Sequence, residues 1–299
     1  MIPRRAALLA PLLSIAARTL PAANKKMTLA LHQNTSGAAG YRKSLEGWAR
    51  AGIRNVELTN GALDEFLKGD SLAAAKRILT DNGLTPVSAA CGVVGLFEPS
   101  NDRSALLAAL KKRFEQFSEL GLRHIYVTTG SSRKPVPEDY ASAPEKVREV
   151  GDIAKQYQMS LNIEFIRISN FISTLNSVLK MTRTAAHPNV HVLFDCYHFW
   201  SGLNKLEDLD DIRPGEIGHA HFQDVQDMPR ELLTNTTRVI PGDGVSPLKQ
   251  ILHKLSEKGY AGPLSVELFL PKFQQADPTE LAKEIRQKAE GVMRQARVL

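Results

Sequence analysis

Two spacings of apolar residues alternate along this chain: short runs of β type, and longer runs in which apolar positions recur every three or four residues. Met27 to Gln33 (MTLALHQ) predicts a first strand ending at His32. An amphipathic run with Tyr41, Leu45 and Trp48 on one face follows, closed by Gly52. IRNVELTN predicts the second strand, ending at Glu57, and a longer helical region holding Phe66, Leu72, Ala75 and Ile78 stops at Asn82-Gly83. TPVSAACG is the third strand, before a helix around Leu106 to Leu120 capped by Gly121. HIYVTTG is the fourth, before a helix over Glu145 to Gln158. The second half keeps the rhythm. SLNIEF precedes a helix over Ile172 to Ala186, and VHVLFD precedes a short one over Leu206 to Ile212. EIGHAHF is followed by an irregular insertion, VQDMPRELLTNTTRVIPGDG, and a helix from Pro247 to Lys258. LSVELF and a helix from about Pro278 onward complete the series.

Eight strands alternating with eight helices, with no low-complexity linker, predict one α/β domain: a (β/α)8 TIM barrel over residues 27–299. A hydrophobic fraction of 43% supplies its core. The formal charge of +6 looks basic, but Arg4, Arg5 and Arg18 lie in the first 23 residues, which hold no acidic side chain. The remaining surplus of +3 is scattered among Asp and Glu along the helices, which is a solvated surface and excludes nucleic acid as the partner. Residues 1–23 combine a charged start, a short apolar run and small residues at Ala22 and Ala23, the pattern of a secretory signal peptide. The Arg4-Arg5 pair points to the twin-arginine route. With Arg18 inside it, the run is too short to span a membrane. Cleavage is therefore expected to leave an exported, periplasmic or extracellular protein without stable membrane association; an uncleaved N-terminus on a cytoplasmic protein is the alternative. Cys91 and Cys196 fall on different predicted strands and read as small core residues, not a disulfide framework.

Candidate chemistry concentrates at the ends of four consecutive β-elements. LNIEF ends near Glu164, VHVLFD at Asp195, EIGHAHF near His221, and PLSVELF carries Glu267. An acid at a strand end is often a mere capping residue, but four strands of one barrel would bring these four to the same mouth. Three carboxylates and one imidazole form an oxygen-rich donor set suited to Mn²⁺, Mg²⁺ or Co²⁺, with Zn²⁺ as an alternative. His219 shares a face with His221 one layer lower, where it reads as a buried hydrogen-bonding partner. His32 and Glu57, at the first two strand ends, are placed to contact substrate.

Taken in order, FDCYHFW, HAHFQD, RVIPGDG and GYAGPLSVELF resemble the xylose isomerase-like TIM-barrel superfamily of sugar isomerases and epimerases, nearest to its inosose (2-keto-myo-inositol) isomerase branch. The resemblance covers roughly residues 162–272 well and the first half in layout alone. It implies metal ligands at Glu164, Asp195, His221 and Glu267, contact of His198 with substrate hydroxyls, and binding of substrate oxygen by Arg238. Arg230, in a loop where relatives vary, is assigned to substrate as well. The chain departs from the branch at Gln223, where the others tend to carry Asp.

These residues imply a divalent-metal-dependent isomerase or epimerase of a keto-sugar or keto-cyclitol. The ion would act as a Lewis acid on a ketose carbonyl and stabilise an enediolate, with Glu164 and Glu267 as both ligands and proton carriers. Two alternatives compete: a dehydratase or lyase acting on 3-keto-glycosides or inososes, and a non-catalytic sugar-binding barrel. A DNA-repair nuclease of the same fold would need several more metal-binding histidines than the 8 present, few of which lie at strand ends. The implied partner is a small sugar or cyclitol, and the chain is compatible with an oligomer.

Overall fold

The computed structural model describes residues 26–97, 102–131 and 133–299. The signal-peptide expectation, with Arg4, Arg5, Ala22 and Ala23, lies outside the described residues. Eight parallel strands close into a barrel: β1 (Thr28–His32), β2 (Asn55–Thr59), β3 (Thr85–Ala90), β4 (His124–Thr128), β5 (Ser160–Glu164), β6 (Val190–Asp195), β7 (Ile217–His221) and, after a two-strand ribbon of β8 (Asp224–Val225) and β9 (Arg238–Val239), β10 (Pro263–Val266). Closure comes from β1 pairing with β10, Leu31 opposite Val266, and with β2 on its other side, His32 opposite Glu57. Each connection crosses over through helical segments, as parallel strands require. Among the described residues no helix is long and apolar enough to cross a membrane.

The helices form where the apolar stripe predicts, and several begin where a side chain accepts from the first turn. The stripe of α1 (Gly40–Arg50) buries Tyr41, Leu45 and Trp48. Gly47 on that helix has no Cβ because one would stand 2.7 Å from Pro278 Cβ, so the close approach of the last helix, α10 (Pro278–Gln295), needs glycine there. Thr59 caps α2 (Asn60–Phe66), Ser71 caps α3 (Leu72–Asp81), Asp102 caps α4 (Arg103–Glu119) and Thr174 caps α6 (Leu175–Ala185), each accepting a backbone N–H of the first turn. Cys91 and Cys196 are free and buried in the main core.

Several boundaries differ from the sequence reading, each for a local reason. The single helical region after β2 is two helices, because Asp70 and Ser71 turn the chain and Ser71 starts a new N-terminus. The helix after β4, α5 (Pro137–Gln156), starts eight residues before Glu145, with Pro137 in its first turn and Asp139 accepting from Val136 N at 2.8 Å. Leu206–Asp211 is a 3₁₀ segment, and the helix that follows β6 is instead α7 (Cys196–Ser201). Asp195 ends the strand and caps this helix, accepting from His198 N at 2.7 Å. The insertion after β7 is ordered by Asp224, which accepts from Gly242, Gly244 and Ser246 N–H groups at 3.1, 3.2 and 2.8 Å. A Cβ on Gly244 would lie 2.1 Å from the Val225 carbonyl oxygen, which explains the second glycine of PGDG. That closed loop delivers β9, and with it Arg238, to the barrel mouth. Two further helices follow, α8 (Leu248–Glu257) and the short α9 (Pro271–Gln274).

Candidate metal centre

Because the side chains of a strand alternate, the last inward position of each strand faces the axis at the mouth. On β5, β6 and β7 those positions are Glu164, Asp195 and His221, and Glu267 follows β10 directly. One donor atom from each of the four lies within 4.8 Å of the others. His221 Nδ1 is 3.3 Å from Glu164 Oε1, 3.3 Å from Asp195 Oδ2 and 3.5 Å from Glu267 Oε2. All four side chains are buried. The sequence brought forward this constellation from residues more than a hundred positions apart, and the barrel assembles it.

Arg238 enters the same cluster from the insertion. Its Nη1 donates to Glu267 Oε2 at 2.7 Å and to Asp195 Oδ2 at 3.1 Å, while the guanidinium lies over Tyr197, with Cζ 4.3 Å from the ring centroid. Its Nη2 stands 3.2 Å from His198 Nε2, so His198 and Arg238 form one wall of the site. Gln223 donates to Asp195 Oδ1 at 2.8 Å; an Asp at this position could not donate unless protonated. Arg230 is placed differently from the expectation. It donates to the carbonyls of Gly202 and Asn204 and stacks on Trp200, so among the described residues its bonds staple two loops together and none reaches the cluster.

His32 and Glu57 also take other partners than the expected substrate. His32 Nε2 is 3.0 Å from Tyr126 Oη and 3.5 Å from Glu267 Oε1, and its Nδ1 accepts from Asn34 N–H. Glu57 Oε2 lies 2.9 Å from His219 Nε2 and 3.2 Å from His221 Nε2, on the opposite side of the His221 ring from the three carboxylates. His219 is thus a buried hydrogen-bonding partner one layer below. The sequence reading passed over Asn34, whose Nδ2 donates to Glu267 Oε1 at 3.1 Å, and Tyr126. Tyr126 was findable: on β4 it shares the inward phase of His124 and Thr128.

The electrostatics divide the acids. Burial, reinforced by Asp195 and Glu267, pushes Glu164 up to about 7 against the pull of His221. Burial also opposes ionisation of Asp195, but Arg238 and His198 outweigh it and hold Asp195 well below the usual carboxylate range. Glu267 is lowered despite burial by His32, His221 and Arg238. Burial pushes His198 down to about 4, so it is neutral at physiological pH. Burial works against the His221 imidazolium, yet Glu57 and Glu267 hold it well above its ordinary value. A divalent cation fits this donor set. Glu164 Oε1 is buried without a hydrogen-bond partner, the other donors converge on the same space, and a cation there would replace the proton that the carboxylates now stabilise on His221.

The sequence profile of the family described as "Xylose isomerase-like TIM barrel" matches residues 45–294. An inosose isomerase of Halalkalibacterium halodurans is 27% identical over 81% of this chain and 87% of its own. A 3-dehydroshikimate dehydratase of Pseudomonas putida is 23% identical over 81% of this chain and 38% of its own. Among solved structures, the IolI protein with a binding zinc atom superposes with a TM-score of 0.84 at 23% identity, over 91% of this chain and 99% of that one. With the profile spanning most of its length and the barrel closed as the fold demands, the chain belongs to the xylose isomerase-like TIM-barrel family.

Proposed function

We propose that this chain is a divalent-metal-dependent isomerase of a keto-cyclitol or keto-sugar that moves a proton at the carbon beside the carbonyl. The observation that carries the reading is the convergence of Glu164, Asp195, His221 and Glu267 within 4.8 Å at the barrel mouth, in a chain similar to inosose isomerases. Three carboxylates to one imidazole favour Mn²⁺, Mg²⁺ or Co²⁺; Zn²⁺ is the alternative, supported by the zinc of the IolI structure. A bound ion would supply Lewis acidity to the substrate carbonyl and an adjacent hydroxyl.

The protein's own residues then divide the proton work. Glu164 has a buried oxygen with no hydrogen-bond partner, facing the space the other donors share, which suits a general base. Glu267 has Asn34 on one oxygen and Arg238 on the other, so it stays ionised and fixed and is assigned the return of the proton from the other side. His198 and Arg238, joined at 3.2 Å, are assigned to the substrate oxygens. The test is incubation of the metal-loaded protein in D₂O with keto-inositols and 3-keto-glycosides. Deuterium at the carbon beside the carbonyl is the expected result, and its absence with every compound would sink the proposal. A second reading, elimination of a leaving group after the same proton abstraction, is favoured by the similarity to 3-dehydroshikimate dehydratases. It predicts loss of water or glycoside, where the isomerase predicts a product of unchanged mass. A sugar-binding barrel without catalysis would show binding and no exchange. Export is proposed on the Arg4-Arg5 pair and the small residues at Ala22 and Ala23; an intact Met1 on the soluble cytoplasmic protein would contradict it.

A further inference from the structure

His221 spends its two ring nitrogens on two different neighbourhoods. Nδ1 faces Glu164, Asp195 and Glu267, whereas Nε2 points the other way, 3.2 Å from Glu57 Oε2. The same Glu57 oxygen lies 2.9 Å from His219 Nε2. Glu57 is fully buried, on β2, across the barrel interior from β7. A carboxylate in such a place is costly unless donors meet it: His219 Nε2 is hydrogen-bonded to it, and His221 Nε2, which has no other partner, faces the same oxygen at 3.2 Å. An imidazole that offers one nitrogen to a cation carries its proton on the other, and the partner of that proton decides which nitrogen is which.

We propose that Glu57 is the positioning residue of the metal centre: it holds the proton on His221 Nε2 so that Nδ1 is the metal-binding atom. His219 anchors Glu57 from below. The proposal rests on the reading of the four-residue cluster as a metal centre. It gives Glu57 a role that acts through His221 and requires no contact with substrate. The geometry also raises a rival, since His32, Glu57 and His221 themselves bring donor atoms within 4.8 Å of one another. A second cation there would use Nε2 instead of leaving it protonated.

The experiment uses the full chain, stripped by chelator and titrated with Co²⁺. Affinity is read by competition with a chelating dye, and proton NMR of the cobalt protein is used to find the hyperfine-shifted, exchangeable N–H of the coordinated imidazole. The wild type is expected to bind a single Co²⁺ and to show one such N–H, slow to exchange in D₂O. Glu57→Gln should weaken Co²⁺ about 10- to 100-fold, the usual cost of losing a ligand's outer partner, and should shift that resonance and speed its exchange. Glu57→Asp, which restores a carboxylate, should recover part of the affinity, and His219→Gln should lose less than Glu57→Gln while keeping the resonance. Wild-type affinity and an unchanged resonance in Glu57→Gln would overturn the proposal. So would a second Co²⁺ that disappears with Glu57, or a wild-type cobalt spectrum with no slow N–H, a measurement that needs no variant to fold. Absence of Co²⁺ binding by the wild type would overturn the metal centre and this proposal with it, whereas binding without substrate exchange would strike the isomerase reading alone.

Discussion

The two halves of the barrel mouth do different work. Strands β5, β6, β7 and β10 deliver Glu164, Asp195, His221 and Glu267, whose donor atoms converge within 4.8 Å. Strands β1, β2 and β4 deliver His32, Glu57 and Tyr126, whose bonds run to the backs of those residues or to one another: His32 to Glu267, Glu57 to His221, and Tyr126 to His32. Both sets are buried and chemically capable. What separates them is which side of the four-residue cluster they touch. A closed barrel allows this division because β1 pairs with β10, so the first strand stands beside the last and its loop reaches Glu267 through Asn34. On the reading proposed above, one half holds the ion and moves the proton, and the other fixes the orientation of its ligands.

If this division holds, the halves should fail differently when broken. The largest effect should come from the ligand half. Asp195→Asn or His221→Ala should strip most bound Mn²⁺ or Co²⁺ while the barrel stays folded, read by elemental analysis beside circular dichroism. Stoichiometric metal in either purified variant would remove that residue from the ligand set. Next comes the proton chemistry. Glu164→Gln and Glu267→Gln, each measured at saturating metal, should lose about 10²- to 10⁴-fold in turnover, the usual loss with a general base. Glu164→Gln should abolish C–H exchange with solvent deuterium, while Glu267→Gln should retain exchange without completing the isomerisation. Near-normal turnover in both would end the two-glutamate assignment, and His198 would become the base to test.

How much of this was legible in the sequence follows the same line between halves. The candidate ligands on the second half stand at the ends of strands whose alternation is plain, so Asp195 and the His219-His221 pair declare themselves by period two alone. Helix α7 was not legible, because CYHFWS is as apolar as a strand, and it is the Asp195 cap on His198 N–H that bends it into a helix. The contacts of Glu57 and His32 were hidden for another reason. A polar residue at a strand end reads the same whether it meets substrate or the rear of a ligand, and only closure across the barrel tells which. Arg230 illustrates the limit in loops: its place in the insertion suggested a substrate contact, but its bonds to the carbonyls of Gly202 and Asn204 depend on a path the sequence does not display.

The smallest predicted effect lies at the opposite end of the first half, on the barrel floor, and should touch stability without touching metal. His124 opens β4, and burial, with His219 and His191 adding repulsion, pushes it down to about 4. Its Nδ1 is buried without a hydrogen-bond partner. A histidine lowered in the fold binds fewer protons there than in the unfolded chain between the unfolded value near 6.5 and about 4. Its contribution is therefore fully present above the unfolded value and is lost as pH falls through that window. At pH 5 the wild type should carry a penalty of about 1–2 kcal/mol from this residue, after allowing for its partial exposure. His124→Phe has nothing to protonate there, so between pH 8 and pH 5 it should lose less stability than the wild type by that amount in urea denaturation. Metal content and C–H exchange should match the wild type at both pH values. Equal losses for the two proteins would show that the floor histidine carries no burial cost, and lost metal in His124→Phe would break the separation between floor and mouth.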